Sequence, residues 1–294
     1  MAVTMESIKA LRASTGAGIV DCRNALAACD GDVDKAADWL REKGIAKAAK
    51  KASRIAAEGL TAIVKEGNLA AVVEVNSETD FVAKNEKFQK LVKDIAAAVL
   101  AAKPASLEEA MGAKMGGETI QEAITNATFT IGEKISFRRF ELLEKKDDEA
   151  FGAYIHMGGK IAVVSVLKGS DEEMARYIAM HVAALSPTYV AIEDVPAEVV
   201  EHEHHIQMEA AKNDPKLAGK PEQALVKILE GKVRKSLSEL CLVEQEFVKE
   251  PSKKVGVYVK EKGSEVVRFV RYAVGEGMQH REDDFAAEVM SQIK

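Results

Sequence analysis

The chain has 294 residues, 47% hydrophobic and 30% charged, a formal net charge of −6 and three cysteines. That length supports about two domains or several small modules around real cores. The longest apolar run, Ile95 to Ala102, is far short of the ~20 residues that span a bilayer, and the acidic balance disfavours a dedicated nucleic-acid binder. Cys22, Cys29 and Cys241 form no C-x-x-C pair, so neither a disulfide framework nor a thiolate zinc site is expected. The opening MAVTMESIKALRAS lacks the pattern of a secretory or transit segment, and the expected location is the cytoplasm.

Residues 4–43 read as three short helices. Met5, Ile8 and Leu11 keep helical spacing, Ser14 to Gly18 breaks the chain, Ile19, Cys22 and Leu26 resume it, and Asp30-Gly31-Asp32 breaks it again. Val33, Ala36, Ala37 and Leu40 follow, with Gly44 read as a C-terminal stop and Ile45 to Ala57 as a helical or flexible tether.

From Gly59 the period changes. Leu60 to Val64 and Leu69 to Val75, separated by Glu66-Gly67-Asn68, form a hairpin signal, and Phe88, Leu91, Val92, Ile95 and Val99 mark a helix. Ser106 with Glu109 and Thr119 with Glu122 have capping-box spacing, and a strand follows from Ile135 to Leu142. The same strand, glycine turn, strand, helix order recurs at Gly152 to Met157, Gly158-Gly159, Ile161 to Leu167 and Asp171 to Ala184, which predicts two related α+β lobes. Pro196 to Ala211 and Glu222 to Leu240 then form an inserted antiparallel helical hairpin, after which β-patterned sequence returns at Val255 to Val259 and Val266 to Val274. A last short helix carries Phe285, Val289 and Ile293 in an i, i+4, i+8 stripe.

No stretch has the spacing of a phosphate-binding loop or a dinucleotide fingerprint. Glu201-His202-Glu203-His204-His205 lacks the second histidine of H-E-x-x-H, and reads as a solvated helix face. His181, among Ile178, Met180 and Val182, reads as a core histidine, whereas His156 beside Met157-Gly158-Gly159 sits where side chains are presented. No metal, cofactor or covalent catalytic residue is expected. The informative segment is Glu74 to Lys84, EVNSETDFVAK. Thr79 and Asp80 fall in a capping region, and Phe81 is either a hydrophobic staple on its own helix or an aromatic anchor aimed at a partner.

This segment, with LRASTGAGIVDCRNAL, Ile131-Gly132-Glu133, the His156 turn, IAMHVAALSP, EPSKKVG, VGEG and DDFAAEV, resembles the bacterial elongation factor Ts family from end to end. The resemblance implies a multidomain α+β fold: a three-helix, UBA-like domain (1–54), a two-lobed core with antiparallel sheets (55–143, then 144–190 with 241–275), the helical hairpin (191–240) and a C-terminal helical module (276–294). It implies a guanine-nucleotide exchange factor, without covalent chemistry of its own, that binds elongation factor Tu in its GDP-bound and nucleotide-free forms and promotes GDP release in translation elongation. No direct nucleic acid or membrane contact is implied; a homodimer or 2:2 complex through the hairpin is left open. The residues carried over are Thr79, Asp80, Phe81 and Val82, as the segment that dislocates the partner's magnesium. Further contacts are Arg12, Ile19, Val20, Arg23, Lys51, Ile131, Gly132, His156 and Phe285. Arg23 stands where lysine is usual, and Lys134 where asparagine is common. The alternative is a protein-binding scaffold of the elongation machinery that leaves exchange untouched.

Overall fold

The computed structural model describes residues 3–214, 217 and 221–279, and these divide into two compact units. The first comprises residues 3–143, 157–161 and 272–279; the second comprises 144–156, 162–214, 217 and 221–271.

The first unit opens with α1 (Met5–Thr15), α2 (Ile19–Ala28) and α3 (Val33–Lys51). Thr4 and Ser7 close a capping box on α1, Gly16 ends it at φ 68°, and Asp32 caps α3 through the Asp34 and Lys35 amides. Ile8, Leu11, Cys22, Leu26, Ala36 and Leu40 form a small core. Gly44 does not stop α3; the helix runs to Lys51, so most of the expected tether is rigid. A Cβ at Gly44 would meet only ordinary contact, 3.4 Å from Cγ of Phe129 on α7 (Ile120–Ile131).

Strands β1 (Glu58–Glu66) and β2 (Leu69–Ser77) pair antiparallel around the two-residue turn Gly67-Asn68, with Gly67 at the positive φ such turns require. A single turn, α4 (Asp80–Ala83), leads to α5 (Glu86–Ala102), whose Phe88, Val92, Ile95 and Val99 are buried. Next come α6 (Leu107–Gly112), the short pair β3 (Lys114–Met115) and β4 (Glu118–Thr119), then α7, opened by the complete Thr119/Glu122 capping box, and β5 (Ser136–Glu144). The sheet order is β1-β2-β5.

The second unit contains β6 (Glu149–His156), β7 (Ile161–Lys168) and α8 (Glu172–Leu185). The hairpin α9 (Ala197–Lys212) and α10 (Glu222–Leu240) follows, then β8 (Glu246–Phe247), β9 (Glu250–Lys254), α11 (Val255–Glu261) and β10 (Glu265–Ala273). Its sheet order is β10-β7-β6. Both three-stranded sheets therefore place the second hairpin strand at the centre and a later strand on its far side. The β-reading of Val255 to Val259 is wrong: this stretch is α11, with Val255 and Val259 buried one turn apart. Two apolar residues at i and i+4 satisfy either period when the run is this short. The expected hairpin turn lies mostly, and the Phe285 stripe wholly, outside the described residues.

Candidate partner-binding surface of the first unit

The segment after β2 is held by carboxylates. Glu133 Oε2 accepts the amides of Glu78 at 3.1 Å and Thr79 at 3.0 Å, while Oε1 accepts the Thr79 hydroxyl at 2.7 Å. Glu78 answers by accepting the Lys134 amide at 2.6 Å and pairing with Arg54 at 3.2 Å. Thr79 is the N-cap of α4, but its side chain caps nothing because its hydroxyl is committed to Glu133.

Successive helical residues are ~100° apart, and in α4 Val82 and Ala83 enter the core, which turns Phe81 outward. Its exposure is 78%. The staple reading is therefore wrong: the ring does not fold back on α5, and the contact it makes is with the Lys84 ammonium, 5.7 Å from its centroid. Lys84 also hydrogen-bonds Asp80 at 2.7 Å, and that bond holds the Asp80 carboxyl below its ordinary pKa.

Beside this turn, α7 ends at Ile131, and Gly132 adopts φ 89° as its C-cap. The Lys51 ammonium, at the end of α3, donates to the Gly132 carbonyl, and Lys134 Nζ donates to the Arg54 carbonyl at 2.8 Å. Burial, reinforced by Arg54, lowers the pKa of Lys51. Gly132, which Lys51 holds, directly precedes Glu133, whose carboxylate holds Thr79. Ile19 and Val20 open α2 with 51% and 60% exposure, and Arg12 and Arg23 are exposed on α1 and α2.

His156 ends β6 in the second unit. It is exposed, and its Nδ1 lies 3.1 Å from the Tyr154 hydroxyl. His181 is the core histidine expected of it: buried, with Nε2 3.0 Å from Gln245 Oε1 and Nδ1 accepting the Val248 amide at 3.3 Å. Burial lowers its pKa. Among the described residues, no group of three or more His, Cys, Asp or Glu could hold a metal ion, and no helix is long and apolar enough to cross a membrane.

The elongation factor TS family model matches residues 78–276, more than half of the chain. The chain belongs to the elongation factor Ts family. It is an elongation factor of translation, and the match takes in Thr79 to Val82, Ile131-Gly132 and His156. Arg12, Ile19, Val20, Arg23 and Lys51 precede the matched residues, and Phe285 follows them.

Sequence reasoning gave no role to Glu74. Its side chain is fully buried in β2, yet it accepts from Arg138 at 2.9 Å, Arg139 at 2.6 Å, Asn76 at 3.1 Å and the Gly275 amide at 2.9 Å. Burial alone would raise its pKa; these bonds outweigh it and hold the carboxyl below the ordinary value. The signal was a lone acid in the apolar run Ala70 to Val75.

Proposed function

We propose that this chain is a guanine-nucleotide exchange factor for elongation factor Tu, with Phe81 as the wedge that opens the partner's magnesium and phosphate site. What supports the reading is the 78% exposure of a phenylalanine two residues after a turn whose Glu78 and Thr79 amides are held by Glu133. An apolar ring kept in water on a fixed turn is prepared to be buried by something else. Thr79, Asp80 and Val82 set the wedge, and Ile131, Gly132 and Lys51 flank it. Arg12, Ile19, Val20 and Arg23 form a contact on the three-helix module, His156 supplies a second grip, and Phe285 an accessory one.

The mechanism is reciprocal binding. If the factor weakens GDP binding to elongation factor Tu by some ratio, GDP weakens the factor's binding by the same ratio. A ring that finds its pocket only when the partner's helices part selects the open, magnesium-poor form. The diphosphate then loses the cation that compensates its charge, and leaves faster. Burying a Phe side chain is worth about 1.5–3 kcal/mol. At ~1.4 kcal/mol per decade the wedge contributes roughly one to two powers of ten, and the remaining contacts supply the rest.

The test is release of fluorescent GDP from elongation factor Tu, in magnesium and excess unlabelled GDP. Acceleration by substoichiometric factor is expected. Binding that leaves the release rate unchanged would move the function to a scaffold.

A further inference from the structure

We infer that Glu133 is the positioning residue of the exchange surface: a side chain that touches no nucleotide but fixes the direction in which Phe81 projects. The inference rests on the exchange reading above and goes beyond it, from the exposed ring to the side chain that aims it.

The geometry is specific. One carboxylate receives three donors from two consecutive residues, the Glu78 and Thr79 amides and the Thr79 hydroxyl. These lie immediately before α4, a helix of only four residues. So short a helix has no cooperative stability of its own. Its start is fixed instead from outside, by a loop 54 residues further along the chain. The clasp is reciprocal, because the residue after Glu133 donates its amide to Glu78. Ser77 adds a local bond, its hydroxyl donating to the Thr79 carbonyl at 3.0 Å. Without Glu133, two amides and a hydroxyl revert to water, and the turn samples several directions for the ring.

A ring that samples several directions is competent only part of the time, and the exchange rate scales with that fraction. Encounter, carried by the other contacts, does not. The loss therefore belongs in the maximal rate and not in the concentration needed for half of it.

The experiment uses the full chain with Glu133→Ala, Glu133→Gln and Glu133→Asp. Two readouts are taken: hydrogen exchange at the Glu78 and Thr79 amides, and GDP release from elongation factor Tu as a function of factor concentration. For Glu133→Ala we expect those amides to exchange at least ~10-fold faster while the core strands keep their protection. The maximal release rate should fall roughly tenfold, with the half-saturating concentration within about twofold of wild type. Gln should recover to within about threefold of wild type, because its carbonyl accepts both amides and its NH2 donates to the Thr79 hydroxyl. Asp, one methylene short, should not. A purely electrostatic role predicts the opposite order, Asp above Gln, and would overturn the inference. So would a Glu133→Ala protein with loosened amides and a wild-type maximal rate, or one whose amides stay protected. If wild type itself does not accelerate release, the exchange reading fails and takes this inference with it. Should Glu133→Ala not fold, Thr79→Val removes only the hydroxyl and is expected to lower the maximal rate about threefold; no loss there overturns the inference.

Discussion

Replacing Glu74 with glutamine tests whether the buried charge cluster holds the first unit together. The side chain is fully buried, while Arg138 and Arg139 keep 23% and 30% of their side-chain surface exposed. Removing one member of a buried pair commonly costs ~3–5 kcal/mol, but here the two arginines can turn towards water, so about 2–3 kcal/mol is expected. For a unit of this size that lowers the melting temperature by roughly 4–12 °C. Trp39 is the single tryptophan, packed against the three-helix core of the same unit, and its fluorescence in a urea or thermal titration reads the change. The pH dependence gives a second arm. The folded carboxyl titrates below the ordinary value of 4.5, so its contribution is complete above pH ~4.5 and is lost as pH falls through the depressed value. The gap between wild type and Glu74→Gln should therefore narrow in acid. A variant within ~0.5 kcal/mol of wild type at pH 7, or a gap that does not change between pH 7 and 3, would refute the reasoning.

Two glycines give opposite expectations. A Cβ at Gly152 would lie 2.1 Å from the Ala175 carbonyl carbon and oxygen, so Gly152→Ala must push β6 off α8 and should cost about 3 kcal/mol in denaturant titrations. Gly44→Ala meets only ordinary contact with Phe129 at 3.4 Å, and should gain ~0.5–1 kcal/mol of helix propensity. Thiol labelling should separate the cysteines. Cys22 and Cys241 are buried, and burial pushes both thiols up, Cys241 to about 11. Half-buried Cys29 should react with a disulfide reagent at neutral pH, and the other two only once denaturant is added.

The order of elements was legible because most of it is local. The Gly67-Asn68 turn, the Thr119/Glu122 box and the helical stripe of α5 each announce themselves within a few residues. What was not legible depends on partners distant in sequence. Gly44 looks like a helix stop until Phe129 is seen against it. Glu74 is an oddity in an apolar strand until Arg138, 64 residues away, and Gly275, 201 residues away, close around it. The direction of Phe81 is the plainest case. Local pattern favours folding an aromatic onto the following helix, and the burial of Val82 and Ala83 in the core leaves Phe81 on the outer side of the turn.

The most direct test of the central claim is Phe81→Ala. The ring is 78% exposed, so its removal should leave the melting temperature unchanged, while the loss of about 2 kcal/mol of wedge binding slows factor-stimulated GDP release from elongation factor Tu by roughly 30-fold. A folded Phe81→Ala protein that still stimulates release at the wild-type rate would contradict the account.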